Sequence, residues 1–350
     1  MTRILESRWF YLALIGVVVL AYVRMLTLLP KPVPLTQEQE IAAAAPVPVQ
    51  EFANMDISLA QILQGSQRHP VAARVFGWLL LVVGGLSVGG LCVTGRAVLH
   101  GGLREAMRYR SKLSANWSLA DVGRITLLMI LLVGLAPFLH LSLIAWGLAE
   151  VTDKHFWSVA FMLGLEAMFF FIVWGFASTK HLHLTSAFGI NWRKTSRAMG
   201  HGLLGYMAVF PWVMGLLWLI GLVCQWLGVE PPVEPIHELL FLEQRPLMVA
   251  STLVLACVVG PIAEELFFRG LLFGAMRTRM SRVWASLATG SLFAAVHTNP
   301  VGFLPILLLG WLLADLYERT GSLAAPIAVH IVHNTLLISV GLTAKQILSS

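Results

Sequence analysis

GPIAEELFFRGLL, residues Gly260 to Leu272, sets two adjacent glutamates and an arginine in an apolar stretch. LMVASTLVLACVV (247–259) lies upstream and Phe273 follows. By insertion scales an ionisable side chain at the centre of a bilayer costs about 2.5–3.5 kcal/mol, so such residues mark function unless they pair or lie at an interface. Whether this stretch crosses a membrane, and what its charges face, decides the fold and the chemistry together.

The surrounding chain favours a membrane. Of 350 residues 57% are hydrophobic and 12% charged, about half the charged share of a soluble domain. Apolar runs lie near residues 9–29, 72–95, 125–148, 156–178, 203–228, 247–278, 283–297, 303–317 and 322–342. The pattern predicts an all-α, polytopic transmembrane helix bundle of eight or nine spans. The seventh and eighth runs are short for full crossings, while the sixth has length to spare.

The net charge of +6 resides in short connections between apolar runs, which is a topology signal and argues against a nucleic-acid partner. Arg3 and Arg8 precede the first run, Arg96, Arg104, Arg108, Arg110 and Lys112 follow the second, and Lys180, Arg193 and Lys194 follow the fourth. The intervening connections are poor in Lys and Arg, which places the N-terminus in the cytoplasm of a bacterial-type plasma (inner) membrane. Four regions follow. Residues 1–29 read as an uncleaved anchor and 30–71, rich in Pro and Ala, as an external linker. Residues 72–116 read as a second span with a basic surface segment at 96–116, and 117–345 as the region holding the polar motifs. Cys92, Cys224 and Cys257 have no paired spacing and read as packing residues.

Before residue 250, Arg24, His140 and Glu166 are isolated in apolar runs and read as snorkelling or helix–helix bonding groups. The last third differs, with Glu264, Glu265 and Arg269, then His297, Asp315, His330, His333 and Asn334. Residues four apart share a helix face, so Glu265 and Arg269 make a natural ion pair, while Glu264 points about 100° away. That leaves Glu264 for chemistry, or all three as one structural charge cluster. His330 and Asn334 are again four apart, with His333 beside them as a supporting or lipid-facing residue. A carboxylate, two histidines and an amide on three separate spans point to a site that activates water.

These residues resemble the motifs of the CPBP family of intramembrane proteases, the CAAX-protease and bacteriocin-processing (Abi) group. EELFFR (264–269) is similar to its EExxxR, FAAVH (293–297) to its FxxxH and HIVHN (330–334) to its HxxxN. The likeness is strong from about 250 to 342. Weaker echoes at NWSLADV (116–122) and FGINWR (188–193) start the family region near 117. The resemblance implies a membrane-embedded endopeptidase in which Glu264 activates water, and His297, His330 and Asn334 hold the water, or a metal, and the oxyanion. Glu265 and Arg269 take supporting positions.

Whether a metal is needed stays open on these residues. A zinc ion held by His297, His330 and a glutamate would use Glu264 as ligand and leave the paired Glu265 as base; the alternative is metal-free. No organic cofactor is implied. The partners are membrane lipids and a peptide or membrane-protein substrate, with a cavity opening towards the cytoplasm. HExxH, GxGD and GxSG signatures are absent. Two other readings use the same polar cluster: an ion- or proton-coupled transporter, against which the lack of inverted repeats argues, and a non-catalytic membrane scaffold.

Overall fold

The computed structural model describes residues 5, 7–28, 59–100, 113, 116–147, 153–228 and 238–348. Among them the chain is all-helical. The helices are α1 (Arg8–Leu28), α2 (Leu59–Arg68), α3 (Pro70–Leu99), α4 (Leu119–Ala145), α5 (Lys154–Thr179) and the short α6 (Leu184–Ala187). They continue with α7 (Trp192–Leu227), α8 (Pro246–Arg277), α9 (Arg282–Val296), α10 (Phe303–Thr320) and α11 (Ala324–Leu348). A single π-helical turn, Glu238–Leu242, precedes α8.

Each apolar run read from the sequence carries a helix, and among the described residues six helices are long and apolar enough to cross a membrane: α3, α4, α5, α7, α8 and α11. The chain is thus an integral membrane protein with six candidate spans among those residues, and the eight or nine expected are not reached by these criteria. The physical reasons differ. The 15 residues of α9 reach about 22 Å at 1.5 Å per residue, against about 30 Å of hydrocarbon. Helix α10 carries Asp315, Glu318 and Arg319 within 18 residues. The described apolar part of α1 is Arg8–Val23.

The stretch read as an external linker holds α2 in its last part, and α3 begins at Pro70; residues 29–58 lie outside the described residues. Gly65 lets α2 approach α11, since a Cβ there would meet the Ile347 carbonyl oxygen at 1.8 Å. Most of the basic segment 96–116 also lies outside the described residues, although Asn116 and Trp117 are placed.

Helices α8, α10 and α11 form the centre, with α9 packed against α8 and α10. On one flank α4 and α5 pack against the second half of α8 through Ile125, Val173, Phe176, Leu271 and Phe273. On the other, Tyr206 and Phe210 of α7 meet Leu309, Leu313 and Leu316 of α10 and Val329 of α11. Helix α3 crosses α7 at Gly90, where a Cβ would sit 2.1 Å from the Met207 carbonyl oxygen, a close small-residue crossing of the kind that joins helices in lipid. Apolar side chains such as Trp78, Leu81 and Val88 on the remaining faces of α3 are exposed, as suits contact with lipid.

The bundle has two distinct ends. At one, Arg277 pairs with Glu318 at 2.9 Å, Arg282 with Asp315 at 3.3 Å and Lys180 with Asp121 at 2.7 Å. Here Trp117 stacks on Phe188, Asn116 donates to the Ala187 carbonyl oxygen at 3.0 Å, and the Leu323 N–H donates to the Phe188 carbonyl oxygen at 3.1 Å. The two weaker sequence echoes therefore meet each other and buttress the start of α11. At the opposite end Arg245 binds Asp153 through two N–H groups, at 2.5 and 2.9 Å, and Phe241 packs on Gly341.

Candidate active site

Helix α8 is irregular where it carries the paired glutamates. Leu255–Val259 and Leu266–Phe273 are π-helical, flanking the α-helical turn Gly260–Glu265. Pro261 accounts for the first departure, since it has no N–H and its ring crowds the preceding turn. The Gly260 N–H bonds back five residues to the Leu255 carbonyl oxygen, and Pro261 offers Ala256 nothing. The Ala256 carbonyl is instead taken by Asn334, whose Nδ2 donates to it at 3.0 Å. An inserted π turn is a frequent mark of a functional site.

One turn on, Glu265 and Arg269 form the expected pair, Nη1 to Oε1 at 2.6 Å, with both side chains essentially excluded from solvent. The guanidinium also donates from Nη2 to the Gly310 carbonyl oxygen at 3.2 Å and lies 4.4 Å from the centre of the Phe293 ring. Gly310 permits this approach, since a Cβ there would come within 3.5 Å of Nη2 and 3.1 Å of Gly290 Cα.

Glu265 Oε1 has a second partner, His330 Nδ1 at 2.8 Å. An ionised carboxylate only accepts, so the His330 nitrogen that faces Glu265, Nδ1, is the donor, and Nε2 faces Glu264, whose Oε2 is 3.6 Å away. His297 is arranged in the same sense. It ends α9, and its Nδ1 donates to the Phe293 carbonyl oxygen at 2.7 Å, leaving Nε2 as the acceptor. The two imidazoles flank one ring, with centroids 4.7 and 5.7 Å from that of Phe293. Thr298, directly after His297, has φ +52°, a left-handed conformation that a β-branched residue adopts under strain.

Glu264, His297, His330, His333 and Asn334 all line one cavity of about 730 Å³. Glu264 is about one-third exposed, and its Oε2 has no hydrogen-bond partner. His333 does not face lipid. It is buried, with Nδ1 2.9 Å from the Tyr206 hydroxyl of α7.

The sequence gives no sign that Glu166 belongs to this group. Glu166 of α5 lines this cavity and also a second, apolar one between α4, α5 and α8, and Glu264 borders both. The cost of a lone glutamate in an apolar run was the available signal, but no spacing in sequence links residue 166 to residue 264.

Among the described residues no group of three His, Cys, Asp or Glu side chains is placed to hold a metal ion. Glu265, which the zinc reading leaves as the base, is committed to Arg269 and to Nδ1 of His330.

Against this geometry the comparisons with known proteins can be set. Residues 246–336 match the family described as type II CAAX prenyl endopeptidase Rce1-like, and every motif residue named above falls inside the match. Over that region the chain is similar to the Rce1-like (CPBP) family. Its relatives include the "Putative membrane peptidase YdiL" of Bacillus subtilis (strain 168), 33% identical over 93 residues, which are 27% of this chain and 36% of the relative. Another is the "Uncharacterized 24.3 kDa protein" of Escherichia coli, 29% identical over 133 residues, 36% of this chain and 61% of the relative. The chain thus spans about a third and three fifths of the lengths of these two relatives. No solved structure matches it.

Proposed function

We propose that the chain is an intramembrane endopeptidase of the CPBP type that hydrolyses a peptide bond with a water activated by Glu264. The observation that carries this reading is the meeting of Glu264, His297, His330 and Asn334 on one cavity, behind which Arg269 and His330 hold Glu265 in place. Water entering that cavity meets the Nε2 atoms of two imidazoles and one carboxylate without a partner. Glu264 takes its proton as the oxygen attacks the scissile carbonyl carbon. The same carboxyl then gives that proton to the amine nitrogen as the C–N bond breaks. Asn334 spends one amide N–H on Ala256 and has a second for the oxyanion. Glu166 supplies a further carboxyl across the cavity, suited to holding the released amine.

In this reading α1, α9 and α10 join the six candidate spans to make nine. The N-terminus lies in the cytoplasm, the peptidase region runs from about 117 to 345, and the spans before it are an addition.

The test compares new protein termini, by mass spectrometry, in cells carrying wild type or Glu264→Gln at matched membrane levels. Termini that need Glu264 establish proteolysis and identify the substrate. Identical termini, with good coverage of membrane proteins, would sink the reading in favour of a scaffold or transporter.

A further inference from the structure

Helix α11 turns one stripe to the cavity. His330, His333, Asn334, Leu337 and Ile338 all line it, at spacings of three and four that place them on a single face of the helix. Of these, His330 and Asn334 already have parts in the hydrolysis. His333, 8% exposed, has none.

Three imidazoles therefore border the cavity, and each is tied back through Nδ1. His330 is held by Glu265 Oε1 at 2.8 Å and His297 by the Phe293 carbonyl oxygen at 2.7 Å. Those partners accept, so in both rings Nδ1 donates. His333 differs, because its partner is the hydroxyl of Tyr206 at 2.9 Å, and a phenol can donate or accept. Burial decides the direction. Tyr206 is 1% exposed, and its hydroxyl has no second hydrogen bond among the described residues. Were Nδ1 the donor, the phenol proton would be buried without an acceptor, which carries the full cost of an unmade hydrogen bond. The O–H therefore donates to Nδ1.

An imidazole that accepts at Nδ1 carries its proton on Nε2. Nε2 leaves the ring on the side away from Tyr206, and it too has no hydrogen bond among the described residues. The cavity wall thus holds an N–H donor fixed by a hydroxyl from α7, a helix that does not itself line the cavity.

We infer that His333 is a further catalytic residue whose Nε2–H donates to the carbonyl oxygen of the scissile bond, together with the second N–H of Asn334, and that Tyr206 is a positioning residue that sets the His333 tautomer. The catalytic step rests on the hydrolytic reading above; the tautomer does not. As the water oxygen bonds to the carbonyl carbon, the C=O π pair moves onto oxygen, and the two N–H groups hold that oxyanion without giving up a proton. When the C–N bond breaks, the pair returns to the carbonyl and both hydrogen bonds weaken. Donors that strengthen as charge develops lower the barrier to the chemical step and contribute little to substrate binding.

Two measurements test this. The first needs no turnover. The full chain, labelled with nitrogen-15 histidine and reconstituted in lipid, is measured by solid-state NMR, and the His333 signals are assigned by their loss in His333→Phe or His333→Met. Nδ1 should resonate as an unprotonated nitrogen and Nε2 as a protonated one, and Tyr206→Phe should shift the Nδ1 resonance. A protonated Nδ1 would overturn the inference. The second follows the rate at which Glu264-dependent protein termini appear, at matched membrane levels. His333→Phe and His333→Met remove the donor with two different shapes, which guards against one variant failing to fold. Each should slow that rate about 10²–10³-fold, the cost of one oxyanion donor. His333→Gln, whose amide N–H can stand in for Nε2–H, should recover most of the loss. Unchanged rates in the apolar variants, or a glutamine variant as slow as they are, would overturn the catalytic role while leaving the Glu264 reading intact. If no termini depend on Glu264, the hydrolytic reading and the catalytic role fall together, and the spectrum alone decides the tautomer.

Discussion

Glu265 Oε1 accepts from both Arg269 and His330, so one buried oxygen connects a charge pair to the imidazole facing Glu264. Removing one member of a buried pair strands the other, at a cost of about 3–5 kcal/mol. Glu265→Ala and Arg269→Ala are each expected to lose that much stability, measured as thermal inactivation in detergent. Glu264→Gln, in a cavity and part exposed, should leave stability within about 0.5 kcal/mol of wild type. A Glu264 variant as unstable as the Glu265 variant would return both acids to a single structural cluster. Tyr206→Phe removes the hydroxyl beside His333 Nδ1 and leaves a buried polar atom unpaired, at about 1–3 kcal/mol. That loss should be absent in a chain that also carries His333→Phe, if the replacement ring is accommodated.

Within α8, Pro261, the π turn and Asn334 form one device. The proline withholds an N–H, the turn leaves the Ala256 carbonyl without a backbone donor, and the amide from α11 supplies one. Asn334→Ala should therefore destabilise by about 1–3 kcal/mol. Pro261→Ala restores a backbone N–H, so in a double-mutant cycle the Asn334→Ala loss should shrink by about 1 kcal/mol. Additivity of the two changes would show that Asn334 does not stabilise the break. At the contact of α9 with α10, Gly310→Ala would press a methyl onto Gly290 Cα and the Phe293 ring, 3.1 and 3.3 Å away. Overpacking of this kind costs about 1–3 kcal/mol, and it also disturbs the guanidinium that fixes Glu265. Loss of activity beyond loss of folded protein is the expected outcome, read at matched membrane levels.

For the whole molecule, the end at which α5 and α8 begin is held by charge. Hydrogen bonds from Arg245 keep Glu243 well below the usual carboxylate range and lower Asp153 as well. A folded-state pKa below the unfolded one means that these acids stabilise the fold above about pH 4, their ordinary range. That contribution is lost as pH falls through the folded values. Thermal stability should accordingly drop on acidification below about pH 4, and Arg245→Ala should flatten that part of the profile. An unchanged acid limb in Arg245→Ala would show that the latch does not tie α5 to α8.

The sequence by itself determined the class of fold and the pairing within each motif, because both rest on local rules. A long apolar run in a chain with so few charges reads as a membrane segment whatever it packs against, and residues four apart share a helix face. Glu265 with Arg269, and the placing of His330 and Asn334 on one helix, were legible for that reason. Only the tertiary structure decided what reaches the site from elsewhere. Glu166 enters from a helix almost a hundred residues away in sequence, Asn334 serves a carbonyl that only a distant proline leaves free, and His333 turns to Tyr206 instead of lipid. Which space stays open around Glu264 depends on where side chains from α4, α5, α10 and α11 fill it. That is a property of packing, and no spacing along the chain encodes it.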